Sequence, residues 1–175
     1  ATWREYLTFR TLDNYAALLP SAYNDARFDF RGRTLAGQQE QPARWKRAVD
    51  GVNGTLGEAV GKLYVERHFM PVAKARMDAM VQNLKKAYEV GIDSLDWMSP
   101  ATKAEAKAKL AKFTVKIAYP DRWRDYSALE IRRDDALGNA VRASAFEYGE
   151  MVGRLGKPVD RTRWGRSPQT VNAHY

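Results

Sequence analysis

LGEAVGKLYVERHF, Leu56–Phe69, is the stretch whose reading decides the fold. Its apolar residues Leu56, Ala59, Val60, Leu63 and Tyr64 follow the i, i+3, i+4, i+7, i+8 spacing of one face of an α-helix. Gly57 and Gly61 lie four apart on an adjoining face. Each glycine weakens a helix by roughly 1 kcal/mol relative to alanine, so a pair of them points to the close approach of another chain segment. A central, tightly packed helix is expected here.

Further helices extend from it in both directions. Trp3–Leu19 is aromatic-rich and helical in period until Pro20, which cannot continue a helix interior. Arg31-Gly32-Arg33 reads as a loop exit, followed by a polar connection over 34–42. Pro42 suits the first turn of a short helix carrying Trp45 and Val49, and Gly51, Asn53 and Gly54 are expected to break it before Leu56. After Pro71, Met77, Met80, Val81, Leu84 and Tyr88 form another apolar stripe, with Gly91 placed to cap its C-terminus. Ser99-Pro100 is a strong helix start, serine at N-cap and proline at N1. Val115 and Ile117 alternate with polar or small neighbours, so Thr114–Ala118 reads as a short extended segment. A long amphipathic helix follows from Asp134, ended by Gly156 and Pro158. The last stretch, Ser167–Tyr175, has β-type residues and no helical period, and reads as extended. The fold class is therefore mainly α and multi-helical, with a short extended segment at the C-terminal end.

The 175 residues, 45% hydrophobic and 29% charged, have an ordinary globular composition. No apolar run approaches the ~20 residues of a membrane span. There is no cysteine, which excludes disulfides, thiolate metal sites and cysteine nucleophiles. The start, ATWREYLTFR, reads like the inside of a helix and suggests a piece of something longer. A net charge of +8, concentrated around Arg27–Arg47, Lys103–Lys112 and Arg154–Arg166, keeps one alternative open: a self-standing basic helical module binding nucleic acid or an acidic protein.

Catalytic signatures are missing. Zinc sites on helices need two histidines four apart on one face. Here His68 and His174 are the two histidines, far apart in the chain. Glu66 and His68, two positions apart, diverge by about 200° around a helix. Neither GxSxG nor a glycine-rich phosphate loop occurs. Asp134-Asp135 is read as a helix start, where the dipole favours acids. The expectation is no catalytic residue and no metal ligand within this chain.

In order, the blocks RWKRAVDGVNGTLGEAVGKLYVERHF, LDWMSPATKAEAKAKL, AYPDRW, KPVDRTRW and VNAHY resemble the neprilysin-type zinc metallopeptidases, family M13. The resemblance covers essentially the whole chain and stops upstream of the family's HExxH zinc helix. It implies a zinc endopeptidase as the full-length parent, with zinc ligands outside this chain and this chain alone inactive. It implies a helical cap over 1–132, and over 133–175 the start of the catalytic domain, with its long helix and an edge strand. Asn172 and Ala173 match the pair that hydrogen-bonds the backbone of peptide substrates. The remainder of the parent catalytic domain is then the expected partner, nucleic acid is not, and the location is extracytoplasmic. Three positions depart from the family pattern: Ala48 where vertebrate members carry a disulfide cysteine, Ser99 for an aspartate, and His174 for Tyr or Phe.

Overall fold

The computed structural model describes residues 2–172. Six α-helices account for most of them: α1 (Thr2–Tyr15), α2 (Ser21–Arg27), α3 (Arg44–His68), α4 (Pro71–Asp93), α5 (Pro100–Ala111) and α6 (Ala136–Val152). The mainly α expectation holds, and no β-strand occurs among the described residues.

The local chemistry explains most boundaries. Pro71 opens α4, and Ser99 caps α5 by accepting the Thr102 N–H at 3.2 Å. Asp135 caps α6, its carboxylate accepting the Gly138 N–H at 2.9 Å. His68 closes α3, with its ring 5.1 Å from that of Tyr64.

Several boundaries differ from expectation: α1 gives way to a 3-10 turn after Tyr15, and α6 ends at Val152, short of Gly156. Gly51, Asn53 and Gly54 do not interrupt α3, which continues through them and departs from helical geometry only at Leu56 (φ −119°, ψ 30°). Glycine weakens a helix without forbidding it, and Thr55 donates its hydroxyl back to the Gly51 carbonyl at 2.9 Å. Gly91 does not terminate α4; the helix runs on to Asp93, and the Ser94 hydroxyl donates to the Gly91 carbonyl at 2.8 Å. Arg31-Gly32-Arg33 is not a loop exit but lies inside a π-helical stretch, Phe28–Leu35. The Phe28 ring fills the space where a Cβ on Gly32 would stand, and the Thr34 hydroxyl reaches back five residues to the Asp29 carbonyl at 2.9 Å.

The chain divides into two compact units, 1–56 with 125–159, and 57–124 with 160–175. In the first, Asp13 on α1 meets Arg10, Arg27 and Arg31. Tyr15 reaches Ser144 on α6 at 3.3 Å, and the Tyr126 and Phe146 rings stack at 6.1 Å. The buried apolar side chains, Ala16, Leu129 and Ala143, belong to this unit. In the second, Lys103 donates to the Asp93 carbonyl at 2.7 Å and Lys107 pairs with the Asp93 carboxylate at 2.5 Å, joining α5 to α4. Phe69, Tyr119 and Trp123 form an aromatic ladder with centroids 5.8 and 6.2 Å apart.

Much apolar surface is left uncovered. Two separate compact bodies of half this mass would together expose about 10,000 Å², whereas the chain exposes 14028 Å². Met77, Met80, Leu84 and Tyr88, the expected stripe of α4, are all exposed, as are Leu63 and Tyr64 on the apolar face of α3. These faces are patterned for burial that the chain itself does not supply.

Candidate functional site

The glycine face of α3 is where the second unit closes tightly. Gly61 is the one residue of α3 that is buried. A Cβ built there would stand 2.5 Å from the Pro168 ring and 2.8 Å from the Gln169 side-chain oxygen. At Gly57, one turn earlier, it would stand 3.2 Å from the Ser167 hydroxyl. The pair therefore receives the segment Ser167–Gln169, and Gln169 locks it by donating its amide to the Gly57 carbonyl at 3.0 Å. The close approach read from the glycine spacing is borne out. The tight packing expected of the Leu63 and Tyr64 face is not, because both are exposed in this chain.

Glu58 has a structural task. Its carboxylate accepts the Arg124 backbone N–H at 2.8 Å, tying α3 to the Tyr119–Arg124 segment. His68 and Glu66 sit at the end of α3, and no group of three His, Cys, Asp or Glu able to hold a metal occurs among the described residues.

The segment that seats on the glycines begins with an ordered turn. Asp160 accepts the Thr162 N–H at 2.9 Å and the Thr162 hydroxyl at 2.6 Å, and pairs with Arg122 at 3.4 Å. The hydroxyl of Thr162 above all, then its N–H, holds the Asp160 carboxyl below the usual carboxylate range. A second turn, Thr170 N–H to the Ser167 carbonyl at 3.0 Å, carries the chain away from α3.

Val171 and Asn172 then project into solvent, both exposed. Asn172 is not in a strand, because a strand exists only with a ladder partner and the described residues provide none. Ala173 lies outside the described residues, as does His174. Asn172 is thus held three residues beyond Gln169, which is fixed to α3. Ser167, Pro168 and Gln169 carry no motif of their own; only the two glycines signalled that something would pack there.

The family model of peptidase family M13 matches residues 1–120. An endothelin-converting enzyme homolog of Locusta migratoria is 28% identical over 97% of the chain, which spans 24% of that relative. Among solved structures, the zinc metalloprotease Zmp1 of Mycobacterium tuberculosis in complex with an inhibitor matches with a TM-score of 0.89 and 48% identity, over 99% of this chain and 26% of that one. PepO from Lactobacillus rhamnosis matches with a TM-score of 0.87 and 32% identity, over 99% of this chain and 28% of that one. The chain therefore spans about a quarter of the length of the relatives it matches.

Proposed function

Because the chain belongs to peptidase family M13, we propose that it is one part of a zinc-dependent endopeptidase that hydrolyses peptides inside an enclosed chamber. The observation that carries this reading is the backbone likeness to a zinc metalloprotease over 99% of the chain at 48% identity. Residues 1–132 contribute to the helical cap, and residues 133–175 open the catalytic domain. This division follows roles in the longer enzyme, whereas the two packing units follow contacts within the chain. The same membership supports an extracytoplasmic location. No helix among the described residues is long and apolar enough to cross a membrane.

Zinc in such an enzyme supplies an electrophile that lowers the pKa of bound water or polarises a carbonyl. The described residues offer no ligand set that fits it. In this reading its ligands and the general base belong to polypeptide outside this chain, and the chain alone is expected to cleave nothing.

What this chain contributes is backbone recognition. The Asn172 amide offers a donor and an acceptor, and the Ala173 carbonyl a second acceptor. An extended peptide lying beside them is held by its main chain, which gives affinity without reading sequence. Support comes from the exposure of Asn172 and from the anchoring of its approach at Gln169. The uncovered apolar faces of α3 and α4 take the remainder of the parent as their partner.

The test compares the longer enzyme with the isolated 175-residue chain. Cleavage of an internally quenched peptide, abolished by a chelator and restored by zinc, is expected of the former and not of the latter. Chelator-sensitive turnover by the isolated chain, or a longer enzyme with neither zinc nor peptidase activity, overturns the reading.

A further inference from the structure

The second unit contains an open cavity of about 560 Å³, lined on one side by Thr114–Ile117 and on others by Lys74 of α4 and by Arg161 and Trp164. The backbone along this wall is unusual. Phe113 still bonds back to Leu110, and Tyr119 bonds to the Ile117 carbonyl. Between them, the N–H groups of Thr114, Val115, Lys116 and Ile117 donate to nothing among the described residues, and neither does that of Ala118, where a φ of 65° ends the run. Consecutive unpaired donors leave both edges of an extended segment open, and the edge beside the cavity offers every second N–H to another strand. Left unpaired once covered by protein, each would be a buried donor without an acceptor.

The charges around the wall have one sign in excess. Lys74, Lys116, Arg122 and Arg161 stand beside Asp78 and Asp121, and Arg122 also pairs with Asp160 at 3.4 Å, which leaves four cations against three acids. Lys74 is committed to Asp121 at 2.7 Å and to the Tyr119 carbonyl at 3.0 Å, with its ammonium 4.4 Å over the Tyr119 ring. Lys116 donates to the Arg163 carbonyl. Arg161 has no ion pair or hydrogen bond among the described residues.

We propose that Thr114–Ile117 receives an added β-strand, and that the strand is an acidic, extended segment of the parent polypeptide lying outside residues 1–175. Main-chain bonds would satisfy every second one of the free N–H groups, and carboxylates on the incoming strand would meet Arg161 and Lys116. The parent is chosen over a free peptide because the relatives are about four times as long as this chain and its apolar faces already await covering. The inference rests on the reading of the chain as part of a longer enzyme.

Amide hydrogen exchange tests it, since it reads structure and not activity. In the isolated chain the four amides exchange at the rate of open backbone. In the longer enzyme, alternate amides of the four are expected to slow at least ~100-fold, because only every second N–H of a strand points at a given neighbour. Carbodiimide treatment is expected to join Lys116 or Lys74 to an Asp or Glu outside residues 1–175. Arg161→Glu is expected to speed exchange at the protected amides about tenfold, with Val115→Ala as the neutral control. Open exchange in the longer enzyme overturns the proposal, as does protection that appears only when an acidic substrate peptide is added, which would make a free peptide the occupant. Cross-links confined to Asp78 and Asp121, or indifference to Arg161→Glu, overturn the acidic assignment. A longer enzyme that lacks zinc and activity but shows the alternate protection would sink the peptidase reading and leave this one standing.

Discussion

Pro168 packs against Gly61 so closely that a Cβ on the glycine would stand 2.5 Å from the proline ring. A helix and a segment more than a hundred residues later thus share space that any larger residue would occupy. The seat matters because Asn172, the substrate contact we propose, follows it by four residues.

Gly61→Ala sets two effects in opposition. Alanine favours the helix by about 1 kcal/mol, while overpacking typically costs about 1–3 kcal/mol. The Pro168 ring cannot turn aside without moving its own backbone, so a net loss of roughly 1–2 kcal/mol is expected. Gly51→Ala, where a Cβ meets nothing within 4 Å, is expected to gain up to about 1 kcal/mol. Urea midpoints of the two variants should move in opposite directions.

Ser99→Ala removes the acceptor of the Thr102 N–H. A loss of about 1 kcal/mol is expected, and Ser99→Asp, which also caps, should restore it. Equal losses in both variants would mean that the hydroxyl's role is not capping.

Acid should destabilise the chain through several surface carboxylates at once. The Arg31 side chain beside Asp13, the Gly138 N–H and then Arg142 at Asp135, and the Thr162 hydroxyl at Asp160 all lower these carboxyls from their ordinary value of 3.8. A carboxyl depressed in the folded state favours folding while it is ionised. That contribution is full above 3.8 and is lost as pH falls through the lowered folded values. Urea midpoints should be flat from pH 7 to about 5 and fall below 4, and Asp13→Asn together with Asp135→Asn should flatten the fall.

Asn172→Ala in the longer enzyme should raise KM for peptides up to about tenfold with little change in kcat, since a backbone contact made equally in ground and transition states is uniform binding. A fall in kcat at constant KM would instead place the amide's effect in the transition state.

Sequence alone determined what is local or cumulative. The apolar period of α3 and α4, the Ser99-Pro100 start and the ordered blocks of an M13 peptidase were all legible, because helices are set by residues three and four apart and by their caps. The glycine spacing even announced a close neighbour. It could not say that the neighbour was Ser167–Gln169, nor that Glu58 would hold the Arg124 N–H. Those pairings join residues far apart in the chain, and no local pattern encodes the partner. Tertiary structure likewise set the kink of α3 at Leu56 and not at Gly51 or Gly54, where a glycine weakens the helix by only about 1 kcal/mol. It also left the segment at Asn172 without a ladder among the described residues. A strand is a relation between two segments, and β-type residues supply only one of them.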